Sequence, residues 1–356
     1  MARSLAAKIA RVMPPRPVIL MYHRIATPDR DPWELAVAPA EFDRQLQTLA
    51  RRRRVLPLRE FADRHVKGSL PADAVAITFD DGYACNSGVA APLLEKHGLP
   101  ASFFLATAML GKTEEFWSDA LERIVFDPKA GGTASIVVGD REIQVDLGEE
   151  PEPRSACAWR AMSDRPRTMR QRAYMTLWRA LKSAPLDGQR RAIESIARQI
   201  GGESAPRGTH RPMTPEEAHT LSRAAGFDIC GHTETHIALP LWDRATQTRE
   251  IRQSRQVCEA ISGRPCTAFA YPYGDYSDLT LDCARESGVT CAVSLNWGPV
   301  DASEPPLALS RIMMRNGSAA TGWTLKQAFL RSSLGSRMAA ILSFPSEKAR
   351  HGDTDE

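Results

Sequence analysis

The chain has no apolar run approaching ~18 residues, so no segment reads as a transmembrane helix. Its seven cysteines are odd in number and include no Cys-x-x-Cys pair. That argues against a disulfide framework and a structural zinc knuckle, and suits a reducing compartment. Neither sign of charge dominates: 46 Lys and Arg stand against 43 Asp and Glu, a net of +3. Such a balance gives no ground for expecting nucleic acid as a partner. The densest basic run, residues 51–54, reads as the solvated end of an amphipathic helix. Residues 1–13 are basic and mildly amphipathic but lack the apolar stretch and small-residue cleavage site of a secretory signal. An ordinary N-terminal helix is expected there, with peripheral contact to a membrane surface as the alternative. The expected location is the cytoplasm, including the inner face of its membrane. Histidine is scarce late in the chain: only His351 follows His236.

What is present is an α/β rhythm in a chain of 356 residues, 43% hydrophobic and 25% charged. Buried-strand patterns fall at 17–22, 55–58, 74–79, 101–106, 227–230, 267–271, 289–294 and 308–313. Helical periods fall between them, at 39–50, 89–97, 214–225, 246–261 and 279–287. About seven parallel strands suffice for a distorted (β/α)7-type barrel. The rhythm breaks at 112–212, a mainly helical insertion expected to form a lid or subdomain. It holds a helix at 116–126, a hairpin at 134–147 turning at Gly139-Asp140, and two Arg-rich helical stretches within 169–200. The expected organisation is a tail or helix at 1–15, a barrel at 16–111 and 213–315, and a C-terminal helix with a disordered tail at 316–356.

Two stretches carry chemistry. Ile77-Thr78-Phe79-Asp80-Asp81-Gly82 ends a strand in adjacent carboxylates, and Gly231-His232-Thr233-Glu234-Thr235-His236 offers two imidazoles four residues apart. One Asp plus two His is an open ligand set for a catalytic divalent metal, and the spare Asp can move a proton. Taken singly the signals are weak. Asp-Asp-Gly is commonly a tight turn, His-x-x-x-His can be two exposed side chains on one helix face, and Tyr271-Pro272-Tyr273-Gly274 can be a rigid turn. Together with His23 after the first strand and Arg311 near the end of the last, they place reactive groups on five strand ends of one rim, which favours a metal site. His65, His97, His210, His219 and His351 have no evident partner and read as surface or structural. Trp33, Trp117 and Trp297 are candidates to stack on a sugar, against the commoner role of core packing.

Thr78-Phe79-Asp80-Asp81-Gly82 resembles the first motif of the polysaccharide deacetylase family, the NodB homology domain of carbohydrate esterase family 4. His232-Thr233-x-x-His236 resembles its second motif and Phe269–Gly274 its third, and Met21-Tyr22-His23 looks like the exopolysaccharide-associated branch. The resemblance implies metal-dependent removal of an N-acetyl group from an amino sugar of a bacterial glycan or its precursor. By position it implies Asp81, His232 and His236 as metal ligands, Asp80 as general base and the Tyr273 amide as oxyanion donor; Thr233 is expected to hydrogen-bond near the metal or a bound anion. The ligand set suits Zn2+ first, with Co2+, Ni2+ and Mn2+ as alternatives. Two departures stand out. Ala270 occupies the place of the motif Arg that orients the base, and Arg311 is expected to supply that charge. The usual late acid His is missing, and His23 is expected to replace it. The competing readings are another metal-dependent C–N or O-acetyl hydrolase, and a catalytically inactive carbohydrate-binding barrel.

Overall fold

Seven short strands, buried on both faces, close a ring in the computed structural model of the chain, which describes residues 15–149, 156–202 and 205–317. They are β1 (Val18–Tyr22), β2 (Ala74–Phe79), β3 (Ala101–Leu105), β4 (Phe227–Gly231), β5 (Ala268–Ala270), β6 (Cys291–Trp297) and β7 (Leu309–Met313). The order around the barrel is β1-β7-β6-β5-β4-β3-β2, and β2 returns to β1; every pairing is parallel. Near-continuous apolar runs such as VILMY and AVAITF are what strands covered on both faces require. The expected terminal helices at 1–13 and 324–342 lie outside the described residues.

Alternation along each strand divides the two layers. Phe79 stacks between Tyr22 and Phe103, at 5.3 and 4.9 Å between ring centroids. Phe42, from the helix Pro39–Arg52, packs edge-on to both Tyr22 and Phe79. Thr78 and Asp80, on the opposite parity, meet Arg311 instead. The helix Pro215–Arg223 opens with a reciprocal capping box between Thr214 and Glu217, as its sequence predicts.

One expected strand is corrected. Residues 55–58 contribute only Val55, in the strand Arg54–Val55, which pairs with the start of β2. Pro57 then caps a helix, Leu58–Val66, whose buried face is Leu58, Phe61, Ala62 and His65. That i, i+3, i+4, i+7 pattern is helical, and its first residue was assigned to the strand. The helical chain expected from 89 starts earlier, with a wide turn over Asn86–Ala90 that runs into Ala91–His97.

Segment 112–212 forms the helices Trp117–Val125, Met169–Lys182 and Leu186–Ile200 and the hairpin Thr133–Val138/Arg141–Asp146. They share an apolar cluster that includes Leu121, Tyr174, Leu177, Trp178, Leu181 and Ile196. One arginine of the basic helices is structural: Arg170, 1% exposed, donates to the carbonyls of Val125, Asp127 and Ala130. All seven cysteines are free thiols. Among the described residues no helix is long and apolar enough to cross a membrane.

Candidate active site

The strand ends deliver the site. After β2 the chain turns at Asp81 and Gly82, with φ of 72° and 88°. After β4, residues 232–236 form a loop rather than a helix face, with Thr233 at φ 62° and His236 at φ 58°. Tyr273, beyond β5, has φ 59°. Apart from Glu34, these four are the only non-glycine residues with positive φ among the described residues. Each such conformation costs on the order of 1–3 kcal/mol and persists only where neighbours over-determine it. The neighbours are identifiable. The His232 N–H donates to the Leu105 carbonyl at 3.0 Å, and Ala108 N–H donates to the Glu234 carbonyl at 2.7 Å. Thr235 donates through both its N–H and its hydroxyl to the buried carboxylate of Glu250, each at 2.8 Å. The sequence reading missed Glu250, because nothing in an Arg-rich helical stretch marks one carboxylate as facing inward.

Asp81 Oδ1 lies 3.4 Å from His232 Nε2 and 3.2 Å from His236 Nε2. The three potential ligand atoms lie within 4.8 Å of one another. His232 Nδ1 is 2.8 Å from the Ala270 carbonyl, which can only accept, so Nδ1 carries the proton. Nε2 of the neutral ring then turns a lone pair toward a carboxylate. A divalent cation between them resolves that opposition, and a carbonyl on the far nitrogen is the usual support for a ligating imidazole. The residues present therefore fit a metal. Burial opposes ionisation of Asp81, but without an ion the two imidazoles, when protonated, donate to it and hold the carboxyl well below its ordinary range.

Arg311 reaches Asp80 from β7. Its two terminal nitrogens donate to Oδ1 and Oδ2, both at 2.7 Å, its Nε donates to the Ser294 carbonyl at 3.1 Å, and a fourth contact reaches Thr78 Oγ1 at 3.3 Å. Asp80 and Arg311 are 2% and 1% exposed. Burial pushes the Asp80 carboxyl up, but Arg311, followed by His232, more than offsets it and leaves the group below its ordinary range. His23 is half-buried, and its Nδ1 is enclosed with no hydrogen-bond partner among the described residues. Burial lowers its pKa against the opposing pull of Asp81 and Asp80.

Tyr273 sits in a turn closed by Gly274 N–H to the Tyr271 carbonyl at 2.8 Å, and its ring is 4.9 Å from that of His236. Gly274 is obligatory: φ is 70°, and a Cβ there would lie 2.3 Å from Leu295 Cβ. Segment 112–212 reaches the site from the other side. Phe116 packs 5.8 Å from His236 and 5.0 Å from Tyr83, whose hydroxyl donates to Asp119 at 2.7 Å. Burial, ahead of the opposing Arg24 and Tyr83, pushes the Asp119 carboxyl up to about 7.

All three candidate sugar-stacking rings are engaged in packing, Trp297 against the barrel core. Trp117 is buried in the cluster of segment 112–212, and Trp33 lies 4.4 Å from Trp178 with its indole N–H on the Tyr174 hydroxyl. Trp297 is half-buried. Several of the remaining histidines do have partners: His97 bonds Asp43 at 2.7 Å, His65 the Glu304 carbonyl and His219 the Ile261 carbonyl.

The sequence profile of the family described as polysaccharide deacetylase matches residues 67–128 and 197–292. Over these two stretches the chain resembles a polysaccharide deacetylase domain. This deacetylase match includes Asp80, Asp81, His232, His236 and Tyr273, and stops short of both His23 and Arg311. The chain is 22% identical over 183 residues to YxkH of Bacillus subtilis strain 168, provisionally named a polysaccharide deacetylase. That alignment covers 51% of this chain and 60% of YxkH. Among solved structures, the Streptococcus pyogenes deacetylase PplD in complex with acetate is similar with a TM-score of 0.55 and 19% identity, over 88% of this chain and 99% of that one. IcaB from Ammonifex degensii follows with a TM-score of 0.52 and 15% identity, over 89% and 98%. At these identities the likeness is one of fold.

Proposed function

We propose that this protein hydrolyses the N-acetyl group of an amino sugar in a bacterial polysaccharide or its precursor, working in the cytoplasm or at the inner face of its membrane. The observation that carries the reading is the carboxyl of Asp80, gripped by both terminal nitrogens of Arg311 next to the Asp81–His232–His236 set. Those three residues would hold the ion, with Zn2+ the best match to two imidazoles and a carboxylate. When bound, the ion would supply Lewis-acid chemistry, acidifying water and polarising the acyl oxygen. Asp80 takes the proton of the attacking water, and Arg311 keeps its carboxylate charged and aimed. The Tyr273 N–H receives the developing oxyanion. His23 gives a proton to the departing amine, so amide and water become acetate and amine.

The test is acetate release from N-acetylglucosamine oligomers and nucleotide-linked N-acetyl sugars, by wild type and Asp80→Asn, with and without chelator. Chelator-sensitive release that is lost in the variant supports the reading. Release from O-acetylated glycans alone would redirect it to an ester hydrolase, and no release from any substrate would favour a binding role.

A further inference from the structure

We infer that Lys182, in the segment outside the family match, is a positioning residue for the loop that carries Tyr273. Lys182 closes the helix Met169–Lys182 and is 3% exposed. Its ammonium lies 2.6 Å from Asp275 Oδ2, 4.7 Å from the centre of the Tyr273 ring and 5.9 Å from that of Trp178. Trp178 meets the same tyrosine edge-on at 6.0 Å. One cation thus grips two residues of one short loop, Asp275 by charge and Tyr273 by its ring face. A buried ammonium is strongly disfavoured unless paired, and a methionine would fill the space without needing Asp275. The charge is therefore explained by what it holds.

The loop needs such a hold. Tyr273 is a non-glycine residue at φ 59°, a conformation its own chain does not prefer. On the barrel side it is fixed by the tight turn at Gly274 and by Asp275 N–H on the Pro272 carbonyl. On the other side its ring packs against the cluster of Leu177, Trp178 and Leu181. Its backbone thus belongs to the rim and its side chain to segment 112–212. That segment is tied down a second time where Ala84 N–H bonds the Arg211 carbonyl and Met213 N–H the Gly82 carbonyl, just past Asp81. A segment fastened to the loops of two motifs is built to hold their geometry. The oxyanion role of the Tyr273 amide rests on the function proposed above; the grip on the loop does not.

The experiment compares Lys182→Met, Lys182→Arg and Asp275→Asn in the full chain loaded with Zn2+. It reads kcat and KM on an N-acetylglucosamine oligomer, zinc stoichiometry, and hydrogen–deuterium exchange of the peptide spanning 271–276. Lys182→Met and Asp275→Asn should lose about 10–100-fold in kcat with KM within about twofold, as sub-ångström misplacement does. Zinc content should stay at the wild-type value, exchange at the Gly274 and Asp275 amides should quicken, and Lys182→Arg should recover most of both effects. Unchanged kcat and exchange in a folded Lys182→Met protein overturns the inference. So does a loss of activity that tracks a loss of zinc. If Lys182→Met does not fold, Asp275→Asn, altered at the more exposed partner, decides alone. If wild type releases no acetate from any substrate, the exchange result still decides the grip, and the proposed function is what has failed.

Discussion

Arg311 and Asp80 are bound two-pronged in the barrel interior, although 231 residues separate them. Removing one partner of a buried pair costs roughly 3–5 kcal/mol, because the other charge is stranded. Arg311→Met should lower the melting temperature accordingly and reduce kcat/KM by about 10²–10⁴-fold, the usual range for a lost acid–base contribution. Without the guanidinium, burial raises the Asp80 pKa, so the acid limb of the rate profile should move to higher pH. Arg311→Lys should shift it less. A limb that stays in place would show that Asp80 is not the titrating base.

Asp81→Asn should abolish ion binding while keeping a residue type that tolerates a φ of 72°. Zinc at a hundredfold over its dissociation constant should stabilise the wild-type chain by about 2.7 kcal/mol and the variant hardly at all. Thermal unfolding with and without zinc, alongside elemental analysis, reads both effects. Normal zinc content in the variant would remove Asp81 from the ligand set.

His23→Ala should keep its metal and lose about 10²-fold in kcat on N-acetyl substrates. An aryl acetate, whose leaving group needs no proton, should be cleaved nearly as well as by wild type. Equal losses on both substrates would exclude leaving-group protonation as the role of His23.

Asp119 predicts a stability effect. Its carboxyl titrates near 7 in the folded chain, raised chiefly by burial, against an ordinary value of 3.8. The native state therefore keeps a proton that the unfolded chain releases, and folding stability falls as pH rises from about 4 to 7. In Asp119→Asn, which is neutral throughout, that part of the decline should vanish. Melting temperatures between pH 4 and 8 provide the measurement, and parallel curves for the two proteins would refute it.

Much of this was legible in sequence because strand ends are easy to read. Apolar runs stopping at Phe79, Cys230 and Tyr271 locate Asp80–Asp81, His232 and Tyr271–Gly274 on one rim once the strands are taken as parallel. Arg311 could be named as a replacement for the charge missing at Ala270 because it lies at the end of the last strand pattern; that this strand pairs with β1 and so reaches Asp80 is shown by the fold. What stayed hidden depends on facing. Glu250 and Lys182 sit in polar, basic helices whose composition reads as solvent-exposed, and only packing shows that one carboxylate and one ammonium turn inward. Leu58–Val66 was missed for a different reason: Pro57 splits one apolar run between a two-residue strand and a helix.

The ring closes through its ends, Leu20 of β1 beside Ile312 of β7. Synthesis runs from the N-terminus, so Asp81, His232 and His236 all leave the ribosome before Arg311 does. A growing chain thus holds every atom needed to capture an ion while Asp80 still lacks its counter-charge and the wall between β1 and β6 stands open. On the proposed function, ion uptake could precede catalytic competence, which would wait until β7, the last strand among the described residues, brings Arg311 to Asp80.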